Sequence, residues 1–313
     1  MSGFGEAFER AFAYANEMPY ANWSPWSPDG RTLLFAYPFD DDGALHIVPI
    51  DGSIPRDLGS GAFVFPSWSP DGSAILALGT RNLTDGPAGL LVMSPDGSSS
   101  RCIVTTFEPF LFAPAWSPDG HWIAYCTDTI ELVRTDGSER RSLGTGWRPV
   151  WSPDGDRIAY STEDRCADFG SITIASISGP DTTRLTNGIC PSWSPDGDRL
   201  VFQDVWEGDE PPFAAFVIDA DGSNRRRLCS GAFPRWSPRG DRILVQRIDD
   251  TLVTIAPDGS DERVLTEDAR FGRWSPDGEW IAFQWQSSLH VVRADGTERR
   301  ALALEQLART AAP

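Results

Sequence analysis
Arginines, rather than histidines or cysteines, are the residues of this sequence best placed to do chemistry. Four of them fall in short segments that lead into a recurring tryptophan: Arg148 before Trp151, Arg235 before Trp236, and Arg270 and Arg273 before Trp274. Trp147 and Phe233 lie in the same segments. The position three residues before the tryptophan is filled by Trp23, Phe65, Ala113, Arg148, Cys190, Phe233 and Phe271 in turn. A guanidinium offers paired donors to two oxygens, and beside aromatic rings it suits an anionic or extended ligand, a carboxylate in particular. With Trp206 and Trp285 these make a candidate binding set of Arg148, Arg235, Arg270, Arg273, Trp147, Phe233, Trp206 and Trp285. Two plainer roles compete: the aromatics as packing between repeats, and the arginines as partners of nearby acids. Those acids are Asp40–Asp42, Glu163, Asp164, Asp168, Asp204, Glu207, Asp209, Glu210, Asp249 and Asp250.

Catalysis finds less support, and no catalytic residue, metal ligand or cofactor is assigned. The three histidines, His46, His121 and His290, form no cluster in sequence, and no G-x-S-x-G nucleophile turn occurs. The basic residues are all Arg, which removes Schiff-base chemistry and a lysine general base. Asp204 and Glu207 have the residue types of a glycosidase acid pair, but spacing alone does not make one. Asp40-Asp41-Asp42-Gly43 lacks the alternation of an EF-hand loop.

A net charge of −18 argues against nucleic acid or an anionic membrane as partner. No apolar run reaches the length of a membrane span. The first twenty residues lack the basic-then-apolar order of a secretion signal. Five cysteines at scattered positions, with no C-x-x-C pair, fit a reduced cytoplasmic chain. A periplasmic or secreted chain whose signal had been removed would read the same way.

The elements that must position the arginines are repeats. W-S-P-D-G begins at Trp26, Trp68, Trp116, Trp151, Trp193 and Trp274, and W-S-P-R-G at Trp236, a spacing close to one propeller blade. After each turn comes a short apolar run such as Ile158–Ser161 or Ile243–Gln246. A second run follows, ending mostly in Asp-Gly, and then a basic-then-apolar strand such as Arg263–Leu265. Runs of this length between Gly, Pro and Asp read as strands. In the turn, proline presets φ and glycine supplies the positive φ that ends it, while serine bonds back to the turn amides. The expected fold is all-β: a seven-bladed β-propeller of four-stranded antiparallel blades over residues 22–303. Each motif tryptophan should be wedged between blades, and the ring should close without exchanging a strand. Short helical segments are expected over 3–16 and 301–311, in an N-terminal extension (1–21) and a C-terminal tail (304–313).

W-S-P-D-G followed by I-A-F or I-A-Y, V-x-x-x-D-G-S and R-x-L-T resembles the WD40-like Pro-Asp repeat of TolB-like propellers. The resemblance implies a non-catalytic protein- or peptide-binding module. The alternative is an enzyme, of lyase or glycoside hydrolase type, acting on a small or carbohydrate substrate in the central cleft. Loops that vary while the scaffold repeats lie on the face opposite the S-P-D-G turns, so a ligand is expected at the axial mouth on that face.

Overall fold
A computed structural model describes residues 25–37, 44–80, 89–105, 112–162, 170–205, 213–285 and 288–302. Seven antiparallel sheets follow one another along the chain, each ordered as its strands occur in sequence. Blade six is representative, with strands Ala232–Trp236, Ile243–Gln246, Leu252–Ile255 and Arg263–Thr266 running from the inside outward. Blade seven carries its own four strands, the last being the short Arg300–Ala301, so its sheet is completed from its own repeat. In blade one the described residues show a single bridge between Trp26 and Leu33 beside a three-stranded sheet. The helices expected at the two ends lie outside the described residues, apart from Ala301, which is strand, and Leu302, which packs into the core.

The ring follows from where the apolar faces go. A blade has two faces and each must be covered. Seven apolar clusters result, one for each pair of neighbouring blades. The last joins Trp26, Leu33 and Val48 of blade one to Trp280, Leu289 and Val291 of blade seven. Each fully buried aliphatic or aromatic side chain contributes about 1.5–3 kcal/mol, and these seams hold most of them.

Two sets of inner contacts run round the same circle. In five of the blades the indole Nε1 of the motif tryptophan donates to the carbonyl of the residue before the motif tryptophan of the preceding blade, while Trp68 and Trp236 Nε1 are buried with no hydrogen-bond partner among the described residues. Trp151 reaches Ala115 O at 3.1 Å, Trp193 reaches Val150 O at 3.2 Å and Trp274 reaches Arg235 O at 3.3 Å. Trp26 reaches Arg273 O at 3.1 Å and so links the first blade to the last. Trp26, Trp151, Trp193 and Trp236 are buried as expected, whereas Trp68, Trp116 and Trp274 are half-buried. At the turns, a β-carbon on Gly72 would lie 3.7 Å from Pro28 Cδ of the preceding blade. The same contact recurs at Gly120, Gly155, Gly197 and Gly240, and Gly30 faces Pro276 Cδ at 3.9 Å, whereas Gly278 meets the Arg239 side chain instead.

The turns work through local chemistry. In blade two Ser69 Oγ donates to Asp71 Oδ1 at 2.7 Å and accepts from Ala74 N at 2.9 Å, while Gly72 N donates to Ser69 O. Bonds from Ser69 and Ser73 to the Asp71 carboxylate hold its pKa down at about 2. The exceptional W-S-P-R-G turn keeps this arrangement by another route: Ser237 Oγ donates to Asp241 Oδ1 at 2.6 Å. Arg239 is thereby released to reach the next blade, at Asp277 O (2.7 Å) and Glu279 (3.1 Å).

Candidate functional site
The segment before each motif tryptophan is not regular strand. Pairing between the inner and second strands slips at the same place in blades two to seven, for example between Trp147 and Val150 and between Ala232 and Arg235. At that slip the residue three before the tryptophan adopts positive φ: Phe65 (53°), Arg148 (56°), Cys190 (56°), Phe233 (52°) and Phe271 (61°). Bulky residues there are strained by about 1–3 kcal/mol each, so the surroundings must hold them. A side chain of the preceding blade supplies part of that hold. Gln203 Oε1 accepts from Phe233 N and Gln246 Oε1 from Phe271 N, both at 3.2 Å, and Ser161 Oγ accepts from Cys190 N at 3.3 Å. The middle position of the bulge is proline in blades two to six, which brings no N–H to satisfy. In blade seven it is Gly272, where a β-carbon would come within 2.8 Å of Leu244 Cδ2 and 3.0 Å of Leu252 Cδ1.

Bulges re-aim side chains, and these aim them at one another. Ile189, Cys190, Ala232 and Phe233 form an eighth buried apolar cluster, against which Trp147 and Phe271 pack. Its members come from blades four, five, six and seven, so it lies at the inner ends of the sheets and not in any one seam. Beside it stand the arginines. Arg148 lies over the Trp147 ring, with its guanidinium carbon 5.3 Å from the centroid, and its Nη1 donates to Cys190 Sγ at 2.7 Å. Burial draws the Arg235 pKa down to about 10; the Arg148 charge lowers it further and Cys190 opposes the shift. Arg273, only 9% exposed, is lowered well below the usual arginine value by burial and then by the charges of Arg235 and Arg148. Blades four and seven are not neighbours in a seven-membered ring. Arg148 and Arg273 therefore sense each other only because both face the axis.

The candidate residues thus divide. Trp147, Arg148, Phe233, Arg235 and Arg273 come together on the axis. Arg270 turns away: its Nη2 lies 2.6 Å from Asp250 Oδ2, and its side chain is 53% exposed. Trp285 packs in the seam between blades six and seven, edge-on to His290 at 5.3 Å and under Arg299. Trp206 lies outside the described residues. Among the rim acids, Asp204 is buried and bonded to Arg225 at 2.5 Å, while Asp40–Asp42, Glu163, Asp164, Asp168, Glu207, Asp209 and Glu210 lie outside the described residues. His290 stacks on Phe283 with centroids 5.4 Å apart, and among the described residues no three His, Cys, Asp or Glu side chains come together as a metal site.

Sequence reasoning did not assign Cys190, Phe271 or the amide-holding Gln203 and Gln246 to this site. A signal for the last two was present. Ser161, Gln203, Gln246 and Gln284 each stand ten residues after a motif tryptophan, a polar end to an otherwise apolar strand.

The profile of the TolB beta propeller domain family matches residues 81–312. The chain belongs to that family. A putative TolB from Agrobacterium tumefaciens is 24% identical over 76% of this chain and 95% of its own, with a TM-score of 0.56. An oligogalacturonate lyase from Vibrio parahaemolyticus is 10% identical over 90% of this chain and 88% of its own, with a TM-score of 0.67. At such identities the likeness is one of fold, and one fold serves many functions. The uncharacterized peptidase YuxL of Bacillus subtilis (strain 168) is 29% identical over 37% of this chain, so that this TolB-type propeller aligns with only 22% of that protein's length. No helix among the described residues is long and apolar enough to cross a membrane.

Proposed function
We propose that this TolB-type propeller is a non-catalytic module that binds a protein or peptide partner at the axial mouth, on the face of the variable loops. The observation that carries this reading is the convergence of Arg148, Arg235 and Arg273 from three different blades beside an apolar surface. Together they present a cationic surface suited to a carboxylate of the partner, with Trp147 and Phe233 as apolar contacts. Cys190 Sγ accepts from Arg148 Nη1 beside it.

The test is affinity capture by the full chain, followed by titration of the captured partner against wild type and the R235A/R273A double variant. Each charge-assisted contact contributes about 1.5–3 kcal/mol, so the double variant should bind at least about tenfold more weakly. Undiminished binding would place the partner elsewhere. A second reading, an enzyme acting on an anionic sugar in the same cleft, draws on the same cationic mouth. Turnover of oligogalacturonate by the wild type, lost in the double variant, would favour that reading instead.

A further inference from the structure
We infer that blade seven is the acid-labile sector of the ring: protonation of His290 and His46, buried one in each of its two seams, lets this blade open while the other seams stay closed. The two histidines lie on different blades but flank the same one. His290 stands opposite Phe283 on the strand Ser288–Arg293, and Phe283 and Val292 pack into the seam with blade six. His46 stands opposite Phe35 on the strand Ala44–Pro49, and Phe35 and Val48 pack into the seam with blade seven. Cross-strand pairs and alternate residues share a face of a sheet, so each histidine faces the seam of those neighbours. Both are only 6% exposed, whereas His121 is exposed on a turn of blade three. His46 Nδ1 and both ring nitrogens of His290 are buried with no hydrogen-bond partner among the described residues. A proton added to either ring puts a charge into an apolar seam.

The surroundings do little to offset that charge. Arg299, on its own blade, is the charged group that bears on His290, and it opposes protonation. Blade six meets this seam with Leu252, Leu265, Thr266 and Ala269, while its Glu267 and Asp268 are exposed to water. Arg299 Nη1 donates to Thr266 Oγ1 and so ties the two blades, and a charged imidazole repels the group that makes this tie. Asp57, on its own blade, favours protonation of His46, but less than burial disfavours it. Blade seven meets that seam with Trp280, Ala282, Leu289 and Val291, all uncharged. The outer rim is also fastened differently here. In four other seams an arginine near the start of one blade's last strand donates to a carbonyl of the next blade's outer turn: Arg56 to Pro95 O at 2.7 Å, Arg101 to Asp136 O at 2.8 Å, Arg141 to Ile177 O at 3.2 Å, and Arg226 to Pro257 O. Beside blade seven the corresponding arginines turn to their own blades. Arg263 pairs with Asp261, and Arg300 lies over the Trp280 ring at 4.7 Å, meeting blade one through the charge of Asp51. Arg239 and Arg299 hold blade seven to blade six instead. Since blade seven supplies Phe271 and Arg273, its opening also takes these two away from the axial cluster.

The test is amide hydrogen exchange of the full chain at pH 7.0 and 5.5, read by mass spectrometry and corrected for the intrinsic rate at each pH. With ordinary values near 6.5 in the open state, the opening equilibrium should rise by up to about eightfold for each histidine released, and about seventyfold for both. Amides of Trp280–Trp285 and Ser288–Arg293 should lose at least about tenfold in protection on acidification. Those of blades three to five, whose shared seams are apolar, should change by less than about threefold. H290F and H46F should each remove part of the loss and the double variant nearly all of it, with circular dichroism at pH 7.0 showing that they fold. H290Q and H46Q repeat the comparison should phenylalanine overfill either seam. An equal change in every blade, as global unfolding gives, overturns the inference. So does a loss in blade seven that is unchanged in the single variants or persists in the double variant.

Discussion

Replacing Arg235 by methionine should make the protein more stable. A pKa drawn down from the usual arginine value to about 10 means that the folded state holds the charged guanidinium against an unfavourable environment. Each unit corresponds to about 1.4 kcal/mol, which gives an upper limit of about 3 kcal/mol at neutral pH. Arg235 is half-buried rather than sealed, and water reaching it from the axis reduces that figure. A gain of about 1–2 kcal/mol is expected, in the range found when buried ions are exchanged for apolar residues of similar volume. Methionine keeps most of the length and packing of the side chain, and the Trp274 Nε1 bond goes to the Arg235 carbonyl, which the substitution leaves in place. Guanidinium chloride unfolding at pH 7 measures the change directly. R273M should act in the same direction. The R235M/R273M double variant should gain less than the two single gains together, because the repulsion between the two arginines is relieved once and not twice. A loss of more than about 1 kcal/mol in R235M would mean that its guanidinium belongs to a supporting network. Strict additivity would mean that the two charges do not sense each other. Either result refutes the electrostatic account of the axis.

Three further outcomes follow from the scaffold. Trp151→Ala removes a wedge buried between blades three and four together with its bond to Ala115 O, and should cost about 3–5 kcal/mol in chemical denaturation; a loss below about 1 kcal/mol would show that the tryptophan is not core. Arg239→Asp should be tolerated to within about 1 kcal/mol, because Asp241 already serves the turn and the bonds of Arg239 to Asp277 O and Glu279 are exposed to water; a loss above about 2 kcal/mol would contradict this. His290, stacked on Phe283 with Trp285 at its edge, is kept neutral by burial and then by the Arg299 charge, and burial also lowers His46 against the opposing charge of Asp57. The unfolded chain takes up these protons near pH 6.5 and the folded chain resists them, so their contribution to stability is complete above that pH and declines as pH falls below it. His290→Phe should therefore flatten the loss of stability between about pH 6.5 and 5, and an unchanged slope would show that His290 is not the group that resists protonation.

Much of this architecture is written locally. The S-P-D-G turn closes through contacts between residues two to five apart, such as Ser69 with Asp71 and Ala74, so its seven copies read directly as seven blades. Even the exception at Arg239 has its explanation two residues later, in Asp241. The family was legible for the same reason, since the repeat is itself the motif. The axial site was legible only in part. Alternation along a strand assigns side chains to faces with a period of two, but an inserted residue breaks that parity. The bulge before each tryptophan inserts one, so sequence spacing does not tell that Arg273 turns inward while Arg270, three residues earlier, turns out to Asp250. Nor does it bring Cys190 against Arg148, from the neighbouring repeat, or set Arg148 of blade four within electrostatic reach of Arg273 of blade seven. Those meetings exist because seven sheets pack face to face and close into a circle. Repeats far apart along the chain then share one centre, and that centre belongs to no single repeat.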